Sequence, residues 1–441
     1  MAPNDKIRGE NSQMSKKVFR SGSISRRGLL ATASAGAALA VSPFGSSLSR
    51  AEPAPIKIGM SMPQTGGLAA GGKSSLLGIE IWRDDVNAKG GLLGRKVELV
   101  VYDDKSSASE TPAIYSKLID VDRVDLLFAP YGTVPTAPIM PMVKQRGLLL
   151  IGNFSFQVNS KVGHDMWFNN APWGPADSWA SSFLDIGQKA GGKSIALLTA
   201  DQEFAQNLAK TAREVATKRA MPIVFDQVYP PSTVEFSSII GALKATKPDV
   251  VYVASYPPDS AGILRAVNEM GVGSNVKVFG GGMVGLQFGA VMESLGSLLN
   301  GVVNYNSWLP EKSMYFEGTK EFFETYTKRA VAAKVDPLGY YLAPFGYTSG
   351  QLVEQGIKAV GSLDQKAIAK YLRENTHNTI VGPITFSPDG ERKETAVLQA
   401  QFHGVVDKNI EQFRSAGKQV ILFPDNLKSG ELVSPFEVAQ K

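Results

Sequence analysis

The chain has 441 residues, 43% of them hydrophobic, and no cysteine, which excludes disulfides, thiolate metal sites, cysteine nucleophiles and a lipidated N-terminal cysteine. Its formal charge of +5 is unevenly placed, because eight basic and two acidic residues precede position 52 and leave 38 basic and 39 acidic residues beyond it. So nearly balanced a remainder argues for neither nucleic acid nor an acidic partner, and the length allows two domains after a leader.

Residues 1–51 read as that leader. Ser25-Arg26-Arg27-Gly28-Leu29-Leu30 is a twin-arginine pattern, and Ser49-Arg50-Ala51 is a small-x-small cleavage site. The apolar stretch between them, Leu29 to Val41, is too short to span a membrane. We expect passage through the twin-arginine (Tat) translocon, cleavage near Ala51 and a mature protein in the periplasm.

The mature chain opens with a strand, Ile56 to Met62, then a helix over Leu76 to Val86, then a strand from Val97 to Tyr102. Between the first two lies Gly67-Leu-Ala-Ala-Gly-Gly72-Lys73-Ser74, which satisfies the phosphate-loop pattern G-x-x-x-x-G-K-S. Leu99 to Asp103 even resembles a Walker B strand. However, Pro63-Gln64-Thr65 lengthen a turn that is normally tight, and an exported protein meets no ATP. A Gly-rich turn that leaves room at a cleft mouth explains the segment more cheaply.

A helix from Pro112 to Val121 leads into the stretch Asp125 to Ser155, which organises the rest. Leu126 to Ala129 is a short apolar strand, and Tyr131-Gly132-Thr133 is a tight turn. Thr133 reads as an N-cap, with Pro135 in the first helical turn and Gly147 as the helix stop. The next strand, Leu148 to Ile151, ends in Gly152-Asn153-Phe154-Ser155. Ligands of open α/β sheets sit at the carboxyl ends of strands, and helix N-termini attract anions. One wall of a binding cleft is expected here.

The alternation restarts after a polar connector at Pro172. Strands are read at Ser194–Thr199, Ile223–Tyr229, Val250–Ser255 and Val276–Phe279, with helices at Gln206–Arg219, Phe236–Ala245 and Ala261–Met270. Helices at Thr319–Ala333, Phe345–Val360 and Asp364–Asn375 follow, and the end is strand-rich. Two such units predict an α/β protein of two doubly wound parallel-sheet lobes with a cleft between them.

Catalytic and metal chemistry find little support. His164, His377 and His403 lack ligand spacing, no G-x-S-x-G elbow exists, and the pairs Asp84-Asp85 and Asp103-Asp104 diverge on a helix or strand. We expect no enzyme, no metal and no cofactor. Tyr131, Phe204 and Tyr256 are more suggestive, because each follows an apolar strand within a few residues. One such ring alone is as well explained as a core plug; three at equivalent places point to a shared pocket.

At this point the sequence resembles a periplasmic substrate-binding protein of the branched-chain amino acid (Leu/Ile/Val-binding) type, from about Ile56 to Phe423. The likeness rests on Ile56-Lys-Ile-Gly with Thr65-Gly-Gly, on Asp85-Val-Asn-Ala-Lys-Gly-Gly, on Val101-Tyr-Asp-Asp and on Pro130-Tyr-Gly-Thr. Asp201-Gln-Glu-Phe204, Pro248-Asp-Val-Val-Tyr-Val, Gly262-Ile-Leu-Arg and Gly382-Pro-Ile-Thr-Phe extend it. The resemblance implies a type I periplasmic binding fold serving an ABC importer, with the permease subunits at the inner membrane as partners. It implies a first lobe of 56–173 plus 306–397 and a second of 174–305 plus 398–441.

By the same resemblance, Gly132-Thr133 and Ser155, with Asn153 as its rival, hold a ligand carboxylate, and Phe204 and Tyr256 line the pocket. Where the family holds an α-ammonium with an acid, this chain has Phe279-Gly280-Gly281-Gly282-Met283. A buried ammonium without a carboxylate is costly, so the small-molecule solute is expected to be a carboxylate or amide rather than an ordinary α-amino acid, with Gly282 and Met283 against it. A ligand-sensing module of the same fold and a phosphate-loop enzyme are the other classes considered.

Overall fold

In the computed structural model, which describes residues 53–441, the strand–helix alternation builds two large sheets. The twin-arginine pattern and the cleavage site lie outside the described residues. The first sheet is built from β1 (Ile56–Ser61), β2 (Val97–Tyr102), β3 (Leu126–Tyr131), β4 (Leu150–Asn153) and β5 (Trp167–Asn169). Their spatial order is β2-β1-β3-β4-β5, and every pairing is parallel. Its connections include α1 (Ala69–Ala88), α2 (Thr111–Asp120) and two short helices, α3 (Thr133–Thr136) and α4 (Met140–Gln145).

The second sheet follows α5 (Ser178–Lys189). It takes β6 (Ile195–Ala200), β7 (Ile223–Tyr229), β8 (Val250–Ser255), β9 (Val278–Met283) and β10 (Val303–Asn306). Between them run α6 (Glu203–Lys218), α7 (Ser237–Ala245), α8 (Pro257–Met270) and α9 (Gly289–Leu295). The chain then forms α10 (Thr319–Ala333), α11 (Ala343–Val360), α12 (Gln365–Glu374) and a small antiparallel pair, β11 (His377–Thr379) with β12 (Gly382–Ile384). β13 (Leu398–Phe402) and β14 (Gln419–Phe423) return to the second sheet, before a terminal turn of helix, α13 (Phe436–Ala439).

The order of the second sheet is β14-β13-β10-β9-β8-β6-β7. It is parallel from β10 to β7, but β13 and β14 pair antiparallel, so the expected all-parallel design gives way at one edge. β3 and β8 are buried at every position, as strands covered on both faces must be. Each fully buried Leu, Val or Phe in them contributes roughly 1.5–3 kcal/mol. At the free edge, β7 instead alternates half-buried and exposed residues.

α10 to α12 close over the first sheet. The Trp82 indole donates to Glu354 at 3.0 Å, Tyr347 donates to Asp85 at 2.9 Å, and Gln365 bonds both Leu149 N–H and Asp125 C=O at 2.7 Å. Asp364 caps α12 by accepting from Lys366 and Ala367 N–H groups, the arrangement an N-terminal Asp provides.

Three local readings are corrected. α1 begins at Ala69, not Leu76, so Gly71 to Ser74 form helical turns and neither a phosphate loop nor a Gly-rich turn. A Cβ on Gly71 would lie 2.4 Å from the Tyr131 ring and one on Gly72 2.0 Å from the Pro63 carbonyl, so these glycines let the helix approach the strand ends. Asp103, the supposed Walker acid, instead accepts from Gln64 N–H at 2.9 Å and Thr65 Oγ1 at 2.7 Å, tying down the loop after β1. Thr133 is not the N-cap but the first helical residue; Gly132, at φ 98°, takes the capping place. Finally, β9 runs on to Met283 rather than stopping at Phe279.

Candidate functional site

β3, β6 and β8 all end on one small cavity, which lies between the two sheets. From the first sheet come Tyr131, Gly132, Thr133 and Phe154, with Leu68 ahead of α1. From the second come Phe204, Tyr256 and Val284. Trp173, on the connector, and Tyr341, before α11, complete much of the wall. The cavity is tight. About 20 Å³ is open to the centres of water-sized molecules, which is room for roughly one or two waters.

Six aromatic rings line the space. Phe204 meets Tyr256 at 5.9 Å, and Phe154 meets Trp173 at 4.9 Å and Tyr341 at 5.2 Å, all edge-on. Such T-shaped contacts add about 0.5–1.5 kcal/mol each to the area they bury. The hydroxyls of Tyr341 and Tyr305 are 2.7 Å apart, and that of Tyr131 also interacts with Tyr341, which links the end of β3 to β10. Burial pushes all three phenols well above their ordinary range, so they are neutral donors.

Polar capacity is sparse and specific. Thr133 Oγ1 accepts from Phe156 N–H at 2.9 Å, leaving its own hydrogen to donate. The Tyr256 hydroxyl and the Trp173 indole N–H are buried without a hydrogen-bond partner. Among the described residues, no Asp, Glu, Lys, Arg or His lines the cavity. Asp259 is close by, but its carboxylate accepts from Tyr229 at 3.2 Å and is not part of the wall.

The structure thus brings Tyr131, Gly132, Thr133, Phe204 and Tyr256 onto one wall. It leaves four other sequence candidates behind that wall. Asn153 donates from Nδ2 to Ser75 of α1 at 2.9 Å, and its Oδ1 is buried without a partner. Ser155 donates to Thr136 Oγ1 at 2.8 Å, which in turn donates to the Gly132 carbonyl at 2.7 Å, so this hydroxyl braces the turn from beneath. Gly282 pairs with Ala254 inside the sheet. Met283 is fully buried, and its backbone is bonded on both sides to the Asn304 amide, at 3.0 and 2.8 Å. Val284, one residue later, faces the cavity in their place.

Sequence reasoning missed Phe154, Trp173 and Tyr341. Phe154 carried the same signal as the other rings, an aromatic just past an apolar strand; it adopts φ 58°, uncommon for a bulky residue and found where function or packing demands it. Trp173 and Tyr341 follow no predicted strand, and nothing in their spacing marks them.

Among the described residues no group of His, Cys, Asp and Glu is placed to hold a metal, and the Nε2 of each histidine is engaged, that of His164 with Leu148 C=O at 2.8 Å, that of His377 with Leu372 C=O at 2.9 Å and that of His403 with the Gln401 side-chain oxygen at 2.7 Å. No described helix is long and apolar enough to cross a membrane.

A family model described as periplasmic binding protein matches residues 55–405. The Leu/Ile/Val-binding protein of Escherichia coli (strain K12) is 25% identical over 339 residues, covering 77% of this chain and 88% of that protein. Among solved structures, a leucine-binding protein from Thermotoga maritima superposes with a TM-score of 0.70 at 21% identity, over 84% of this chain and all of that one. A solute-binding protein of an ABC transporter from R. palustris, solved with benzoate, gives 0.67 at 18% identity, over 86% of this chain and all of that one.

Proposed function

The chain belongs to the periplasmic binding protein family, and from that premise we propose that it is the extracytoplasmic solute-binding subunit of an ABC importer. Its solute is a small carboxylate or amide with an apolar or aromatic body and no ammonium group. The observation that carries this reading is the cavity wall, which has six aromatic rings, three unengaged donors and no charged side chain.

Placing an ammonium there costs several kcal/mol, because no carboxylate is within the wall to compensate it. A carboxylate or carbonyl meets donors instead: the Thr133 hydroxyl on one side and the Tyr256 hydroxyl on the other. Apolar pockets with a few placed polar groups give both affinity and orientation. Of the ligand chemistries named among the relatives, benzoate suits such a wall better than leucine. The space described is too small for such a solute, so the two walls part by the size of its body to admit it; because the donors come from both sheets, the bound solute then bridges them against wider opening and presents a joined surface to the permease.

The lobes are proposed as 56–173 plus 306–397 and 174–305 plus 398–441. Export by the twin-arginine route to the periplasm rests on Arg26-Arg27 and the cleavage site near Ala51. A thermal-shift screen of amino acids, amides, aromatic acids and short aliphatic acids tests the solute class. A ligand at 100 times its Kd adds about 2.7 kcal/mol of stability, enough for a clear shift. Shifts with benzoate or branched aliphatic acids and none with leucine are the expected outcome. A strong shift with leucine or valine and none with the acids would overturn the solute class while leaving the family intact.

A further inference from the structure

Phe154 is held against its own backbone preference. Among the described residues that wall the cavity between the sheets, it alone, glycine apart, has a positive φ, 58°. L side chains rarely adopt this left-handed conformation, and bulky ones are outliers there. Such strain persists only where the surroundings enforce it, and it clusters at ligand clamps.

The surroundings do enforce it. Gly132 N–H donates to the Asn153 carbonyl at 3.1 Å, and Phe156 N–H donates to Thr133 Oγ1 at 2.9 Å. The Ser155 carbonyl accepts from the Asn169 amide at 2.9 Å. The side chains of Asn153 and Ser155 are held behind the wall, at Ser75 and Thr136. With both neighbours pinned, Phe154 cannot turn away with them, and it lines the cavity that they do not reach.

Its ring joins separate parts of the aromatic wall. It is only 3% exposed and meets Trp173 at 4.9 Å, Tyr341 at 5.2 Å and Phe345 of α11 at 4.8 Å, all edge-on. A phenyl ring has no polar atom to offer a solute. What it contributes to the cavity is bulk, on a backbone that cannot carry it aside.

We propose that Phe154 sets the largest solute body the site accepts, its ring standing where a second ring of the solute would lie. The inference rests on reading the cavity between the sheets as the solute site. The walls part to admit a single ring or a branched aliphatic body, and the pinned backbone keeps Phe154 on its wall as they do. Truncating a buried apolar side chain leaves a cavity that its neighbours fill only in part, and an apolar cavity of about 150 Å³ holds benzene. Phe154→Ala therefore makes room for one further ring without wider parting. Were the ring only a core plug, its loss would lower stability and weaken every solute alike.

Calorimetry on the native protein and on Phe154→Ala, checked to be folded by its melting transition, should compare benzoate with 2-naphthoate, and phenylalanine with 3-(2-naphthyl)alanine. Each pair differs by one fused ring, and the two pairs differ in head group. The ratio of two-ring to one-ring affinity is expected to rise at least tenfold in Phe154→Ala, within whichever pair the protein binds. Phe154→Leu, a milder change for the fold, should give a smaller rise in the same direction. An unchanged ratio in both variants overturns the proposal, as does a failure of both variants to bind any of the four. Binding of the amino-acid pair in place of the acids overturns the solute class proposed above, and the ratio within that pair then decides the size limit.

Discussion

The Tyr256 hydroxyl is buried without a partner, and an unsatisfied buried hydroxyl costs about 1–3 kcal/mol. Tyr256→Phe should therefore leave thermal stability equal or slightly higher, while weakening solute binding about tenfold, or ~1.4 kcal/mol. Calorimetry beside a melting curve reads both. Lower stability with unchanged affinity would show that the hydroxyl serves the fold alone. Thr133 differs, since its Oγ1 already holds Phe156 N–H. Thr133→Val should lose affinity and about 1–3 kcal/mol of stability together, because it strands a buried N–H.

Glu391 gives a pH prediction. Its carboxyl titrates near 4.5 when unfolded and is pushed up to about 8 by burial, so over that range the folded state holds a proton that the unfolded state has released. Stability then falls as pH rises. Below pH 6.5 His164, His377 and His403, all held down by burial, act in the opposite sense. Asp104 and Asp336, raised to about 6, act in the same sense as Glu391 but have largely released by pH 7. The clean window is thus about pH 7 to 8, where the melting temperature should decline in the native protein and decline less in Glu391→Gln. At this scale the sequence disclosed the rings that end strands, Tyr131, Phe204 and Tyr256, because strand ends are readable from hydrophobic runs. It concealed Tyr341 and Trp173, whose place at the cavity depends on long-range packing.

Elements were legible where their interiors were regular and obscure where glycine interrupts them. The sequence pattern places the start of α1 seven residues late because Gly71 and Gly72 are poor helix formers, yet tertiary contact overrides propensity. Gly72→Ala gains about 1 kcal/mol of helix propensity, but its Cβ would sit 2.0 Å from the Pro63 carbonyl, a backbone atom that cannot swing aside. A net loss of about 1–3 kcal/mol in denaturant unfolding is expected, as for overpacked cores. Lys73 is exposed on this helix, so Lys73→Ala should alter neither stability nor solute binding. β9 was cut short for the same reason, since Gly280 to Gly282 weaken a strand pattern. Its true end buries Met283 in the sheet, so Met283→Ala should cost about 2–5 kcal/mol of stability with solute affinity nearly unchanged.

For the whole molecule, the repeated strand–helix order was enough to foresee two wound sheets, because parallel strands require helical crossovers. It did not foresee that β13 and β14 return antiparallel to the second sheet, which pairing across nearly a hundred residues decides. The cavity between the sheets follows from that architecture, and its chemistry from the residues at the strand ends. Matched pairs of ligands isolate the missing ammonium partner. Calorimetry should compare leucine with 4-methylpentanoate, and phenylalanine with 3-phenylpropanoate, molecules that differ only in the amino group. In each pair the deaminated acid should bind more tightly, by at least tenfold; tighter binding of the amino acids would mean that the cavity holds an ammonium after all.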